Sequence, residues 1–399
     1  MVAWRSSIEM SASAPLSGSC SPRFSAIRKA FENNFAEHDE VGAAVSVVVD
    51  GETVVDLWGG WHEREHRSEW QADSIVNVWS VGKAIAAVAL LRLVDAGKVS
   101  LEAPVSTYWP EFARGGKADL PVKYLMAHRA GLCAIRQPLP PAYQLTNWDG
   151  MCQALAKQEP WWEPGTVFGY HTNTYGFLVG EIVRRVDGRR LRDVVTGDIA
   201  EPCHAAFYNG FGPELDHRVA TWIQYQRPDD EATDRPWLEA DPATLQGIPL
   251  ARLLAYRNPP GAAGADVNSR LWRAAEYPST SPHSNARSIA RIFGELARDG
   301  GKLLSPETID RANTIEADGE DVVLDRPNRF GLGFQLTIPG VRPFGPNPRS
   351  FGHFGNGGLL GFADPTTRLG FSYVCNRGGR SWRDPRNIAL IDAVYDSLA

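Results

Sequence analysis

The sequence predicts an α+β fold: one antiparallel sheet built from both ends of the chain and flanked by helices, with the middle of the chain inserted as a mostly helical domain. Three observations carry that expectation. Strand patterns occur near both ends and are scarce between residues 101 and 284, a stretch at 84–94 is apolar nearly all round, and the last strand-like runs lead into an amphipathic closing helix. The expected division is a disordered Ser-rich leader over 1–20, an α/β domain from 21–100 plus 285–399, and a helical domain from 101–284, with a cleft between the two.

Taken in order, "SPRFSAIRKAFENNF" offers Ser21 as N-cap and Pro22 at the first helical position, with Phe24, Ile27, Phe31 and Phe35 on one face. A hairpin follows, with strands over Val45 to Val49 and Thr53 to Trp58 joined by an Asp50-Gly51 turn. The apolar helix from Ala84 to Val94 is ended by Gly97. Later come a helix at "NARSIARIFGELARDGG", strand-like runs "FGLGFQLTI", "GHFG", "LLGFAD" and "LGFSYVCN", and a last helix presenting Ile388, Ile391, Val394, Tyr395 and Leu398 on one face.

A chain of 399 residues that is 43% hydrophobic can bury a large core. Its net charge of -6 and the absence of a Lys/Arg run argue against a nucleic-acid or anionic-membrane partner, leaving a small molecule as the expected one. Five scattered cysteines with no CxxC pair point to free thiols. The N-terminus lacks an apolar signal core and the longest apolar run, at 84–91, is too short to span a membrane, so a cytoplasmic protein is expected. Nothing in the sequence decides whether it forms a homo-oligomer.

"HEREH" at 62–66 spells the HExxH signature of zinc proteases. That chemistry requires a helix, so that the two histidines share a face and grip one metal. Here the segment leaves a hairpin, follows Gly59-Gly60 and contains no aliphatic residue, so a charged hairpin exit is expected and no metal site is assigned.

Ser80-Val81-Gly82-Lys83 forms an SxxK at the start of the apolar helix. Alone it is weak, since average Ser and Lys usage gives about one such match by chance at this length. Its position adds weight: i and i+3 share a helix face, so the Lys83 amine can reach the Ser80 hydroxyl, and the helix start offers N–H groups to an oxyanion. A buried lysine would also be pushed toward the range in which it acts as a base. The alternative is a lysine snorkelling out of a helix end.

Four stretches in fixed order, "WSVGK", "VKYLMAHRAGL", "EPGTVFGYHTNTYGFLVGEIV" and "GHFGNGGLLGFADP", resemble the serine β-lactamase-like superfamily of penicillin-recognising enzymes, and within it most closely the class C-related family VIII carboxylesterases. The resemblance implies a β-lactamase/transpeptidase-like fold and a reaction without a cofactor. It implies Ser80 as nucleophile, Lys83 sharing the role of base and Tyr170, from a YxN-like motif, completing the proton network. It also implies an oxyanion hole from the backbone N–H groups of Ser80 and Asn356, with His353, Phe354 and Gly355 standing where β-lactamases carry KTG. A tyrosine beside a lysine ammonium is expected to ionise below its usual value near 10.

The chain departs from the β-lactamase pattern twice: Thr172 occupies the Asn position of YxN, with Asn173 one step along, and the KTG lysine is missing. That absence weakens β-lactam recognition, and an ester with a neutral acyl group fits better. Gly355, Gly357 and Gly358 would admit a substrate close to their strand, or they mark turns. Trp79, Trp161 and Trp162 are candidates to line an acyl or alcohol pocket, with core packing the alternative. The expectation is a serine hydrolase that cleaves small carboxylic esters through an acyl-enzyme on Ser80. A β-lactamase or D-amino-acid peptidase on the same fold, or a non-catalytic scaffold, are its rivals.

Overall fold

The computed structural model describes residues 14–137, 139, 147–228, 235–257 and 266–399. Its main sheet has nine antiparallel strands: β1 (Leu16–Cys20), β2 (Gly42–Val49), β3 (Glu52–Gly60), β7 (Ala317–Asp321), β8 (Arg326–Phe330), β9 (Gln335–Leu336), β10 (Phe351–Phe354), β11 (Leu360–Asp364) and β12 (Leu369–Cys375). They run in the order β1-β3-β2-β12-β11-β10-β9-β8-β7. A small sheet orders β4 (Val76–Asn77), β6 (His283–Ser284) and β5 (Phe207–Tyr208) as β4-β6-β5. The longer helices are α1 (Ser25–Glu37), α2 (Val81–Asp95), α3 (Trp148–Lys157), α4 (Tyr175–Asp187), α5 (Gly247–Arg257), α6 (Ala286–Leu296) and α7 (Pro385–Leu398).

The two ends of the chain meet at β2 and β12, paired from Leu369↔Val49 to Cys375↔Ala43. Both strands are buried along nearly their whole length, as expected where layers cover both faces of a sheet. The Asp50-Gly51 turn has both residues at positive φ, the requirement of a two-residue hairpin that matches strand twist. One face of the sheet carries the small residues Gly361, Gly370 and Ser372, and α6 packs closely upon it: a Cβ on Gly370 would collide with the Gly294 backbone nitrogen. The opposite face carries the large residues, with Phe362 and Phe371 paired across strands at 5.1 Å.

Helix α2 runs from Val81 to Asp95 and buries every residue from Val81 to Leu91. It is the central helix that the apolar run at 84–94 predicted. Helix α7 opens on a capping box between Asp384 and Asn387 with Pro385 at its start. No described helix is long and apolar enough to cross a membrane, and all five cysteines are free thiols.

Several expectations need correction. Of the leader expected over 1–20, residues 1–13 lie outside the described residues, but Leu16–Cys20 is strand β1, paired with β3 from Leu16↔Gly59 to Cys20↔Val55. "LSGSC" carries no β-branched residue; backbone pairing at a sheet edge makes the strand instead, and Gly18 allows it, since a Cβ there would strike the Asp56 carbonyl. Ser21 caps only a 3-10 turn at Pro22–Phe24, without a side-chain hydrogen bond, and the α-helix begins at Ser25. The run at 330–338 is no single strand: Gly333 at positive φ breaks it between β8 and β9.

The "HEREH" segment is a turn between two bridged residues, Trp61 and Glu69. His62 meets Ser74 Oγ at 2.6 Å while His66 stacks on Trp61 at 4.8 Å, so the histidines have separate partners. The Gly370 contact gives the first prediction. Gly370→Val should destabilise the fold by about 1–3 kcal/mol through overpacking against α6, read as a lowered urea midpoint; an unchanged midpoint would contradict the close packing described here.

Candidate active site

The chain enters α2 through a constrained bend. Strand β4 is pinned to β6, and Val78 N donates to Pro282 O at 2.8 Å. Trp79 then takes φ 52, left-handed backbone that a bulky side chain adopts only under constraint, at a cost of about 1–3 kcal/mol. It is clamped by Trp222 at 5.1 Å and Trp272 at 6.1 Å. The bend leaves Ser80 at the N-cap of α2 with its side chain making no capping bond, so the hydroxyl turns to Lys83.

Lys83 is fully buried. Its Nζ lies 3.0 Å from Ser80 Oγ and 2.9 Å from the Ser279 carbonyl, and 4.8 Å above the centre of the Tyr170 ring. Among the described residues it has no carboxylate partner. Burial alone pushes its pKa well below the ordinary 10.5, which favours a neutral amine with a free lone pair. The snorkelling alternative is excluded by this burial.

Tyr170 comes from a loop whose backbone is fixed from the sheet edge: Tyr170 N donates to Asp321 Oδ1 at 3.0 Å. Its ring stacks on Phe330 at 6.0 Å, and its hydroxyl lies 3.4 Å from His353 Nε2. The expected ionisation does not hold. Burial raises the phenol above its usual value, with a hydrogen bond from Ser80 only partly opposing the rise. The physical reason is that burial disfavours the phenolate, and it disfavours the Lys83 ammonium that was expected to stabilise one.

His353 lies at the position of the missing KTG, on β10. Its Nδ1 is 2.7 Å from the Phe354 carbonyl, an acceptor only, so Nδ1 carries the proton and Nε2 offers its lone pair to Tyr170. Burial, then the proximity of Lys83, pushes its pKa down to about 3. Burial also lowers His171 to about 4 and His128 well below its usual value. Burial thus disfavours charge on each of these groups.

The end of β10 abuts the bend before Ser80: a Cβ on Gly355 would lie 2.9 Å from the Val78 carbonyl. Gly355 N donates to Leu359 O, while the Ser80 and Asn356 amides have no backbone acceptor among the described residues. Gly357, at positive φ, lets the Asn356–Gly358 turn press against Trp222, which in turn touches Trp79.

The tryptophans divide. Trp79 is 6% exposed and belongs to the main apolar core. Trp161 is 9% exposed, donates Nε1 to Ala134 O at 2.8 Å, and lies in a second apolar cluster with Phe168, Tyr170, Ala251, Ala255 and Phe330, on the Tyr170 side of the site. Asn173 is fully buried and its Nδ2 donates to Ala255 O at 3.0 Å, so it anchors α5. Thr172 N donates to Tyr170 O at 2.9 Å and closes the tyrosine loop.

Sequence reasoning missed Asp321. This buried carboxylate accepts from the backbone N–H groups of Tyr170, Val323 and Leu324 and from Asn328 Nδ2 at 3.0 Å. It sits in "ADGED", a surface-like acidic run in which no pattern marks one carboxylate as buried. His128 was also missed: at φ 60 it accepts from His171 N at 3.1 Å through Nδ1 and packs 4.9 Å from the Tyr170 ring.

The family model described as Beta-lactamase matches residues 27–396. The chain is similar to "Esterase/beta-lactamase LipL" of Mycobacterium tuberculosis, 33% identical over 377 residues that cover 90% of this chain and 82% of that protein. Among solved structures it resembles a family VIII carboxylesterase at TM-score 0.86 and 36% identity, covering 96% of this chain and all of the other. A penicillin-binding protein homologue from Caulobacter crescentus matches at TM-score 0.85 and 35% identity, with the same coverage.

Because the folded pKa of Lys83 lies below its unfolded value, the unfolded chain binds that proton more readily. The resulting destabilisation is complete below the folded value, shrinks as pH rises above it, and vanishes past the unfolded value near 10.4. Lys83→Met should remove it and raise the thermal midpoint at pH 7 relative to wild type, with the difference shrinking toward pH 10; a lower midpoint at pH 7 would contradict a neutral buried amine.

Proposed function

The chain belongs to the beta-lactamase family, and from that premise we propose that it is a carboxylesterase acting through an acyl-enzyme on Ser80. The observation that carries the proposal is the buried Lys83 amine 3.0 Å from a serine hydroxyl that caps nothing. The esterase names of LipL and of the family VIII neighbour support an ester as substrate.

In this reading Lys83 takes the Ser80 proton as Oγ attacks the ester carbonyl. The oxyanion is held by the Ser80 and Asn356 amides. The lysine proton passes through the Tyr170 hydroxyl to the departing alkoxide, leaving Lys83 neutral again, and the Tyr170 phenol, held protonated by burial, suits a relay better than a resident phenolate. Water then attacks the acyl carbonyl with the same groups reversing their roles, which releases the acid and restores Ser80. His353 Nε2 orients the Tyr170 hydroxyl. The cleft would lie between the 21–100 plus 285–399 part, which supplies Ser80, Lys83 and His353, and the 101–284 part, which supplies Tyr170 and the Ser279 carbonyl. LipL's double name makes β-lactam turnover the second reading.

Two predictions test the proposal. Brief exposure to p-nitrophenyl butyrate should give an acyl adduct by intact-protein mass spectrometry on wild type and none on Ser80→Ala, whose turnover falls by at least about 1,000-fold; retained turnover would eliminate Ser80 as nucleophile, and adducts with nitrocefin alone would favour the second reading. The acid limb of kcat/KM reports the Lys83 pKa, so activity should rise with pH along a limb well below 10.5 and Tyr170→Phe should lower kcat by about 100-fold or more without moving that limb. A limb near 10 would mean that Lys83 rests as an ammonium.

A further inference from the structure

Two arginines near the site lack partners that burial demands. Arg342 is 1% exposed. It donates through Nη1 to Asn328 Oδ1, while its Nε and Nη2 are buried with no hydrogen-bond partner. Arg326 Nε is likewise buried and unpartnered. Neither forms an ion pair among the described residues, although a buried unpaired cation is strongly disfavoured. Both guanidinium groups lie over one ring, that of Trp382, at 4.5 Å for Arg342 and 5.3 Å for Arg326. Like charges are thus brought together on one aromatic surface.

The nearby carboxylate of Asp321 favours both cations through its charge but bonds to neither guanidinium. Asp321 has Oδ1 occupied by three backbone N–H groups and Oδ2 by Asn328. Burial, with Arg326 adding to it, pushes Arg342 down to about 9. The other titratable groups that bear on the pair are Tyr170, Tyr256, His353 and Arg235, and none is an anion at neutral pH.

The pair is connected to the reaction centre. Arg326, Asn328 and Phe330 alternate onto one face of β8, and Phe330 on that face stacks on Tyr170. A chain of hydrogen bonds runs from Arg342 through Asn328 and Asp321 to Tyr170 N. In the proposed reaction Tyr170 protonates the departing alcohol, so whatever lies beyond Tyr170 meets the alcohol half of the ester.

We propose that Arg326 and Arg342 bind a carboxylate carried by the leaving alcohol, so that the substrates are O-acyl esters of hydroxy acids. The inference rests on the esterase reading and deepens it. A neutral acyl group, expected from the missing strand lysine, remains compatible, because the cations act on the other half of the molecule. Two guanidinium groups with free N–H donors suit a carboxylate, and Trp382 supplies a flat wall beside it.

The test compares 4-acetoxybenzoate with its methyl ester, which differ in that one charge. Wild type should favour the anionic ester by at least tenfold in kcat/KM, and Arg342→Met or Arg326→Gln should lower the anionic-to-neutral ratio at least tenfold, mainly through KM. An unchanged ratio in folded variants, or a wild-type preference for the methyl ester, overturns the proposal. Should Arg342→Met fail to fold, Arg326→Gln, at a half-buried position, carries the comparison. Calorimetry of 4-hydroxybenzoate binding to Ser80→Ala separates the two readings. Binding that the methyl ester of this acid does not share, and that Arg326→Gln abolishes, supports the subsite even if neither ester is hydrolysed, whereas no binding overturns it.

Discussion

The burial of one lysine amine governs the rest of the site. Lys83 has its pKa lowered because α2 is enclosed, and that enclosure needs the sheet with its helices on one flank and the helical segment that delivers Tyr170 and the Ser279 carbonyl on the other. A shorter or amphipathic α2 would leave Nζ in water and charged. The same enclosure explains the shared aromatic surroundings: a ring above the amine excludes water without supplying a competing carboxylate. Stability is given up for this arrangement, at the buried amine and again at the left-handed backbone of Trp79.

The sheet fixes where that helix can lie. Joining β2 to β12 places the first and last parts of the chain side by side, and α6 is drawn onto the small-residue face because Gly361 and Gly370 remove the side chains that would hold it off. At the far edge, the β7–β8 hairpin turns its buried Asp321 toward the tyrosine loop, so that a strand edge positions the backbone of Tyr170. Ser80 and Tyr170 thus come from different parts of the chain, the one at a helix start and the other on a loop tied to a strand edge.

Local features were legible in the sequence and long-range ones were not. The Asp50-Gly51 turn and the apolar run of α2 each declare their structure through a rule that acts over a few residues. The SxxK spacing declared the Ser80–Lys83 pair for the same reason. Strand β1 was illegible because edge pairing needs only a backbone, and the β7–β8 hairpin because Asp, Gly, Glu, Arg and Pro carry no strand signal. Asp321 and Arg342 carried no signal, since nothing in their neighbours reveals that the fold buries them. The expected Tyr170 ionisation fails because burial acts on both members of the pair, raising the phenol and lowering the lysine.

The distribution of charge follows from these placements and bears on catalysis. Lys83, Tyr170, His128, His171 and His353 are all pushed by burial toward their neutral forms. In the proposed reaction Lys83 accepts the serine proton, so that an ammonium and an oxyanion would arise together among buried groups, where their attraction is far stronger than in water. A resting ammonium would already have been stabilised before the reaction and would contribute less to the difference between ground and transition states. The fixed positive charge, by contrast, lies away from the centre at Arg326 and Arg342, where it can orient a substrate without neutralising the oxyanion early. In the proposed reaction the charge that binds would thus be kept apart from the charge that forms.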